Sequence, residues 1–326
     1  MDRSIGVVEA IRTLVPDSFV SVFALVTLLG DAAVLLAVTF TYYWYSAGSL
    51  ASGTRDGFAL DRRRSAFVVA CALGALSLTT GLKAVFALPR PSVAVLDPQA
   101  FATFPFADLV RTFAESATSA SGYGFPSGHA IGTTVVYGGL ALVAGIGTRR
   151  ARWAVAGTAI ALVSHSRVVL GVHYFVDVLV GIAVGLAFLA GMSRAGRSVD
   201  VRRAFWLAVC LGAFAVLASI GDMSGDAVTL LGVSVGAAGT WALVGDAHRS
   251  ASWGEQDERD GRLGTVVIGV VAAGVPGALL YVLDPMLPVA FVGGVAAGAT
   301  AIATPRIAAL GTRAVRVLQS DQNVSR

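Results

Sequence analysis

Apolar runs of about 17–22 residues, separated by short polar or arginine-rich segments, recur along almost the whole chain. Each is long enough to cross a hydrocarbon core of about 30 Å. The pattern predicts about nine membrane helices, near 28–47, 66–88, 129–147, 152–170, 174–192, 204–220, 227–245, 263–283 and 286–304. The tract from Asp17 to Leu29 is also apolar, and it either extends the first helix or feeds it from the interface. Ahead of it, Ile5, Val8, Ile11 and Val15 recur near helical spacing, which predicts an amphipathic helix lying at the membrane surface. Charged residues interrupt this stretch and no small-residue cleavage site follows, so Met1 to Val15 does not read as a secretory signal. The expected fold is all-α: a polytopic transmembrane helical bundle, with a core over residues 1–192 and a further four-helix region and tail over 193–326.

Composition agrees with that pattern. The chain is 56% hydrophobic and 13% charged, far from the balance of a soluble globular domain. Cys71 and Cys210 both fall inside apolar helices, so they imply neither a disulfide framework nor a zinc site. Charge adds orientation. Of 24 basic residues, 18 fall in five segments: 48–65, 148–152, 193–203, 246–262 and the tail from Arg306. These alternate with connections nearly free of basic residues, and the positive-inside rule puts all five in the cytoplasm. The expected topology is therefore a multi-pass cell-membrane protein with its N-terminus outside and its C-terminus cytoplasmic. Tyr42, Tyr43, Trp44 and Tyr45 are expected to form an aromatic belt at the cytoplasmic end of the first helix. The high pI, about 9.4, reflects loop arginines and gives no reason to expect nucleic acid.

Lys83 is the only lysine, and it lies in an apolar run. A cation there costs roughly 2.5–3.5 kcal/mol on insertion scales unless it is paired or faces a cavity. Alone, it reads as a lysine snorkelling to the interface. Two later clusters change that reading: Pro126-Ser127-Gly128-His129, and Ser166-Arg167 followed by His173 and Asp177. All three clusters fall on the predicted outer side. A phosphate ester needs fixed positive donors, an in-line nucleophile and a proton for its leaving oxygen. Lys83, Arg90 and Arg167 supply cations, and the arginine forks match phosphate oxygens. Ser127 and Gly128 begin a helix whose first N–H groups have no internal partner and favour an anion. His173 and Asp177 stand four residues apart, which puts both on one helical face. The carboxylate then orients the ring and leaves one nitrogen to attack phosphorus. His129 remains to protonate the leaving oxygen and to activate water. The alternatives are a helix cap at Pro-Ser-Gly and a buried structural pair at His173 and Asp177.

These residues resemble the three motifs of the type 2 phosphatidic acid phosphatase superfamily, which is related to the vanadium haloperoxidases. Lys83 to Pro91 matches the lysine, six residues, Arg-Pro motif, and Pro126 to His129 matches Pro-Ser-Gly-His. Ser166 to Asp177 matches Ser-Arg, five residues, His, three residues, Asp. The resemblance implies a helical bundle and dephosphorylation through a phosphohistidine, without a metal or other cofactor and sensitive to vanadate. It implies His173 as nucleophile, Asp177 as its orienting partner and His129 as the acid. Lys83, Arg90, Ser127, Gly128 and Arg167 are implied to bind the phosphate.

The expected partners are the bilayer and a membrane lipid phosphate or diphosphate, such as a polyprenyl diphosphate or a phosphatidic acid-type lipid. No oligomeric state follows from the sequence. Two other readings stay open: a phosphotransferase that passes the phosphoryl group to an alcohol, and a lipid-binding or transport protein that keeps the site without turnover. The long connection 92–126, with Phe101, Phe104, Phe106 and Phe113, is expected to be either an interfacial helix beside the site or an ordinary amphipathic loop. Asp31 is expected at the outer mouth of the first helix with a structural role, and His165 lies outside the motifs.

Overall fold

The structure is a computed structural model, and it describes residues 6, 10, 17–47, 62–91, 122–194, 200–221, 225–244, 255–283 and 286–324. The described residues form helices and connecting turns. In chain order the helices are α1 (Asp17–Leu28), α2 (Ala32–Ala47), α3 (Arg62–Phe86), α4 (Gly128–Val143), α5 (Arg149–Val169) and α6 (Phe175–Arg194). They continue with α7 (Val201–Ala218), α8 (Gly225–Val244), α9 (Glu255–Gly269), α10 (Val275–Leu283) and α11 (Leu287–Val324). Apart from residues 6 and 10, the expected amphipathic helix over Met1 to Val15 lies outside the described residues, as does the long connection from 92 to 121.

Local chemistry sets several boundaries. The first apolar tract is two helices, bent by 49° at Leu29-Gly30-Asp31. The Asp31 carboxylate accepts the Ala33 N–H at 2.9 Å and so caps α2. Thr148 caps α5 in the same way, with Ala151 N–H donating to Oγ1 at 3.2 Å. A five-residue π turn, Val270–Gly274, joins α9 to α10 just before Pro276. Proline lacks the N–H that an α ladder needs, and a wider turn accommodates that loss. The last helix runs beyond the expected end near residue 304, through Pro305 to Val324.

One apolar core joins the early and late helices. It includes Tyr43 and Trp44 of α2, Phe67 to Leu73 of α3, Phe205 of α7, Trp241 of α8, and Ala301 and Ile302 of α11. Tyr43 and Trp44 therefore do not face an aromatic belt; both are buried. The reason is visible at Pro305. Its missing N–H orphans the Ala301 carbonyl, and the Trp44 indole donates to that oxygen at 2.8 Å. Tyr43 donates its hydroxyl to the neighbouring Ile302 carbonyl at 3.0 Å. Freed backbone groups in an apolar bundle need such partners.

The contacts separate two ends of the bundle. At one end Arg62 stacks on Trp241 at 5.0 Å, and Arg262 on Tyr45 at 5.3 Å. That end also receives the arginines that begin α3, α5 and α7. The break between α1 and α2, the end of α3, the start of α4, the end of α5 and the start of α6 meet at the other end.

The expected count of about nine membrane helices is not confirmed. Among the described residues, six helices are long and apolar enough to cross a membrane, or seven if α1 and α2 make one bent span. The two expected spans that fall short are α4 and α5. The first has only 16 residues. The second has 21, but it carries Arg149, Arg150, Arg152 and Arg167 together with Ser164, His165 and Ser166. α4 thus falls short in length, while α5 carries arginines at both ends, Arg167 beside the candidate site and Arg149, Arg150 and Arg152 at the opposite end.

Candidate active site

Four chain segments bring the candidate residues together, and each is shaped by a local feature of the sequence. The third motif is a helix end, a reversal and a helix start. Arg167 lies in the last turn of α5. Gly171 follows with φ 66°, a left-handed conformation that glycine adopts without steric cost. The reversal lets Val172 and His173 donate their N–H groups back to the Arg167 carbonyl, at 3.2 and 3.3 Å. Asp177 then falls in the first turn of α6, where Oδ2 accepts the Tyr174 N–H at 3.0 Å. The five-residue spacer between Arg167 and His173 is thus the length of one helix cap.

The first motif leaves α3 at Lys83 and turns at Ala87, the one described non-glycine residue with positive φ, 47°. Beyond it, the Leu88 carbonyl accepts the Gly124 N–H at 2.8 Å. A Cβ at Gly124 would stand 3.2 Å from Arg90 Cα and 3.0 Å from Arg90 Cγ. The strand of chain that carries Arg90 is therefore laid directly on the segment that leads into α4.

The second motif starts α4. A cis peptide joins Phe125 to Pro126. Ser127 is the N-cap, its Oγ 3.5 Å from Ala130 N, and its own N–H donates to the Asp177 carbonyl at 3.0 Å. A Cβ at Gly128 would lie 2.8 Å from Thr79 Cγ2 and 3.8 Å from Lys83 Nζ. The missing side chain lets the start of α4 approach the lysine.

His173 sits at the centre. Arg90 Nη1 donates to the Val172 carbonyl at 3.1 Å and faces His173 Nε2 at 3.3 Å. On the other side of the ring, Nδ1 stands 3.6 Å from Asp177 Oδ2. Both His173 and Asp177 are almost fully buried. Burial, reinforced by the Arg167 and Arg90 guanidiniums, Lys83 and His129, holds His173 well below the usual imidazole range. Burial also lowers Arg90, while the Asp177 carboxylate opposes that shift. His129 lies in the first turn of α4, and its Nε2 is buried without a hydrogen-bond partner. The Arg167 guanidinium is buried and donates to Thr27 Oγ1 at 2.9 Å. Three cations and two imidazoles around one buried carboxylate form a site that an anion would complete. Among the described residues, no three His, Cys, Asp or Glu side chains are grouped closely enough to hold a metal ion.

All eight sequence-derived residues, Lys83, Arg90, Ser127, Gly128, His129, Arg167, His173 and Asp177, meet at this end of the bundle. His165 does not join them; it is exposed and packs edge-on against Phe23 at 5.6 Å. Asp226, in the first turn of α8, is exposed but lies within electrostatic reach of Lys83. Sequence reasoning missed Thr27, Gly30, Gly124 and Gly171. Only Gly171 left a signal, as a glycine just past a helix end.

No curated protein and no solved structure matches the chain. Residues 64–199, which run from α3 through α6 and carry all three motifs, match the family model of the PAP2 superfamily. Over this segment the chain is similar to the PAP2 superfamily.

Proposed function

We propose that the protein is a membrane lipid phosphatase that hydrolyses a lipid phosphate or diphosphate through a phosphohistidine, without a metal ion. The match of residues 64–199 to the PAP2 superfamily supports phosphatase activity in general. The observation that carries the finer reading is the pair of contacts on His173. A guanidinium only donates, so Nε2 facing Arg90 keeps its lone pair and the proton sits on Nδ1, toward Asp177. A neutral ring with a free Nε2 lone pair is the form a nucleophile needs.

In the proposed cycle, phosphate oxygens replace the imidazole as acceptors for Arg90. They also take donors from Arg167, Lys83 and the first N–H groups of α4. Nε2 forms a bond to phosphorus, the P–O bond to the lipid breaks, and the leaving oxygen takes a proton from His129. Water then attacks the phosphohistidine and gives a proton to His129. The P–N bond breaks, phosphate leaves and His173 is restored. We place this end of the bundle at the outer membrane face, because arginines gather at the other end. A lipid tail then stays in the bilayer while its head group reaches the site.

The test is phosphate release by purified protein from phosphatidic acid, lysolipid phosphate, phosphatidylglycerol phosphate and polyprenyl diphosphate. Release from one class, lost in His173→Ala and insensitive to EDTA, is the expected result. Strong EDTA inhibition reversed by magnesium would overturn the metal-free cycle, and a new phosphoester in the presence of an alcohol would assign a transferase. A cysteine at Tyr123 should react with an impermeant reagent on intact cells; reaction only after permeabilisation would invert the orientation.

A further inference from the structure

The segment matching the PAP2 superfamily begins at residue 64, yet the site is closed by residues well ahead of it. The break between α1 and α2 lies against the site's polar groups. Thr27 is fully buried at the end of α1, and its Oγ1 accepts a hydrogen bond from Arg167 Nη1 at 2.9 Å. Three residues on, a Cβ at Gly30 would stand 2.9 Å from His129 Cδ2, 3.1 Å from Thr133 Cγ2 and 2.6 Å from Val163 Cγ1. The backbone of the break is therefore pressed directly onto the His129 ring and onto the helix that carries Arg167. Asp31 faces Arg167 as an attractive charge while it caps α2. Tyr137 of α4 donates its hydroxyl to the Leu29 carbonyl at 2.7 Å and ties the break in place.

We propose that Thr27 is a positioning residue for phosphate binding: its hydroxyl holds the Arg167 guanidinium in direction, and the α1–α2 break is part of the working site. This rests on the reading of Arg167 as a phosphate ligand. A guanidinium recognises phosphate through the direction of its N–H fork as well as its charge. A buried arginine on a flexible stem keeps that direction only if another group occupies part of the fork. Thr27 takes Nη1 on the side of α1. With valine in its place the charge remains and the volume barely changes, but the acceptor is lost.

The experiment compares full-length wild type with Thr27→Val, Thr27→Ser and Arg167→Ala, using steady-state hydrolysis and the rise in unfolding temperature produced by orthovanadate. A lost hydrogen bond to a charged group predicts about a tenfold or greater effect. KM should rise about tenfold in Thr27→Val with kcat changed less, and the vanadate-induced shift should shrink. Thr27→Ser, which keeps the acceptor, should restore both. Wild-type KM and a full vanadate shift in Thr27→Val would overturn the proposal. So would equal loss in Thr27→Val and Thr27→Ser, because the hydroxyl would then not be the cause. A lower unfolding temperature with an unchanged vanadate shift would also overturn it, since Thr27 would then be structural only. If valine prevents folding, Thr27→Ala removes the same acceptor with less bulk and is read by the same criteria. Failure of the underlying reading looks different: Arg167→Ala would then keep its vanadate shift, whatever Thr27 does.

Discussion

The bundle contains two close helix crossings built with the same device, and they do different things. In α6, Gly181 and Gly185 face α4. A Cβ at Gly181 would lie 2.8 Å from the Ser127 carbonyl, and one at Gly185 would lie 2.8 Å from Thr134 Cβ. In α8, Gly232 and Gly236 face the Phe291 and Val295 carbonyls of α11, while Gly294 and Gly298 face Thr229 and Val233 in return. Both crossings put small residues four apart so that backbones touch, as is common between membrane helices. The difference is where along the helices they fall. The α4–α6 crossing reaches the very start of α4, where N–H groups have no internal partner, and it brings the Ser127 cap against Asp177 in the first turn of α6. The α8–α11 crossing begins only past the first turn of each helix, at Thr229 and Phe291, where N–H groups find partners within the helix, and none of the candidate site residues lies in it. Close packing becomes chemistry only where it gathers unpaired polar groups.

The sharpest way to break this comparison is His173→Ala. It should lower turnover at least about a thousandfold with little change in unfolding temperature, checked by phosphate release and thermal unfolding. Near-normal turnover would remove the chemical distinction between the two crossings. Next are the glycines. Gly181→Ala pushes on Ser127 and should cut kcat/KM by about ten- to a hundredfold, since small displacements at a reacting site are costly. Gly236→Ala meets backbone that cannot yield easily and should cost about 1–3 kcal/mol of stability, with turnover per folded molecule unchanged. Equal losses of activity in both variants would mean that the late helices also shape the site.

The buried histidine predicts a pH effect confined to the first crossing. His173 titrates in the unfolded chain near about 6.5, while burial and its cationic neighbours keep it neutral in the native state to lower pH. Below that value the unfolded state binds the extra proton. Stability is then fully present above about pH 6.5 and falls as pH drops, by up to about 1.4 kcal/mol per unit. Thermal unfolding between pH 5 and 7 should show a shallower fall in His173→Gln than in wild type. The smallest effect belongs to the late helices. Trp44→Phe leaves the Ala301 carbonyl unpaired and should cost about 1 kcal/mol. Pro305→Ala gives that carbonyl a backbone donor, so it should reduce the penalty in the double variant, measured as a double-mutant cycle.

Much of the site was legible because each motif is a local structure. Arg167, Gly171, His173 and Asp177 form a helix end, a reversal and a helix start within a dozen or so positions. Ser127 and Gly128 announce a helix start in the same way. Thr27, Gly30 and Gly124 carried no such signal. Their roles come from facing Arg167, His129 and Arg90 across the fold, and a threonine or glycine in an apolar run looks the same whatever it faces. Tyr43 and Trp44 were misread for a related reason. An aromatic cluster at a helix end suits an interface, but these two rings serve carbonyls in α11 near a proline more than 250 residues away.

By itself, the sequence determined the helical architecture, the approximate place of most helices, and the seven polar residues and one glycine that meet at one end of the bundle. Hydrophobic length and local spacing are properties of neighbouring positions, so they survive without coordinates. Only the tertiary structure decided that the first apolar tract breaks at Gly30 beside His129, that α4 and α5 fall short as apolar spans, and that Thr27 meets Arg167. Those outcomes depend on which helices touch, and contact between distant segments is set by packing and by the need to pair buried polar groups.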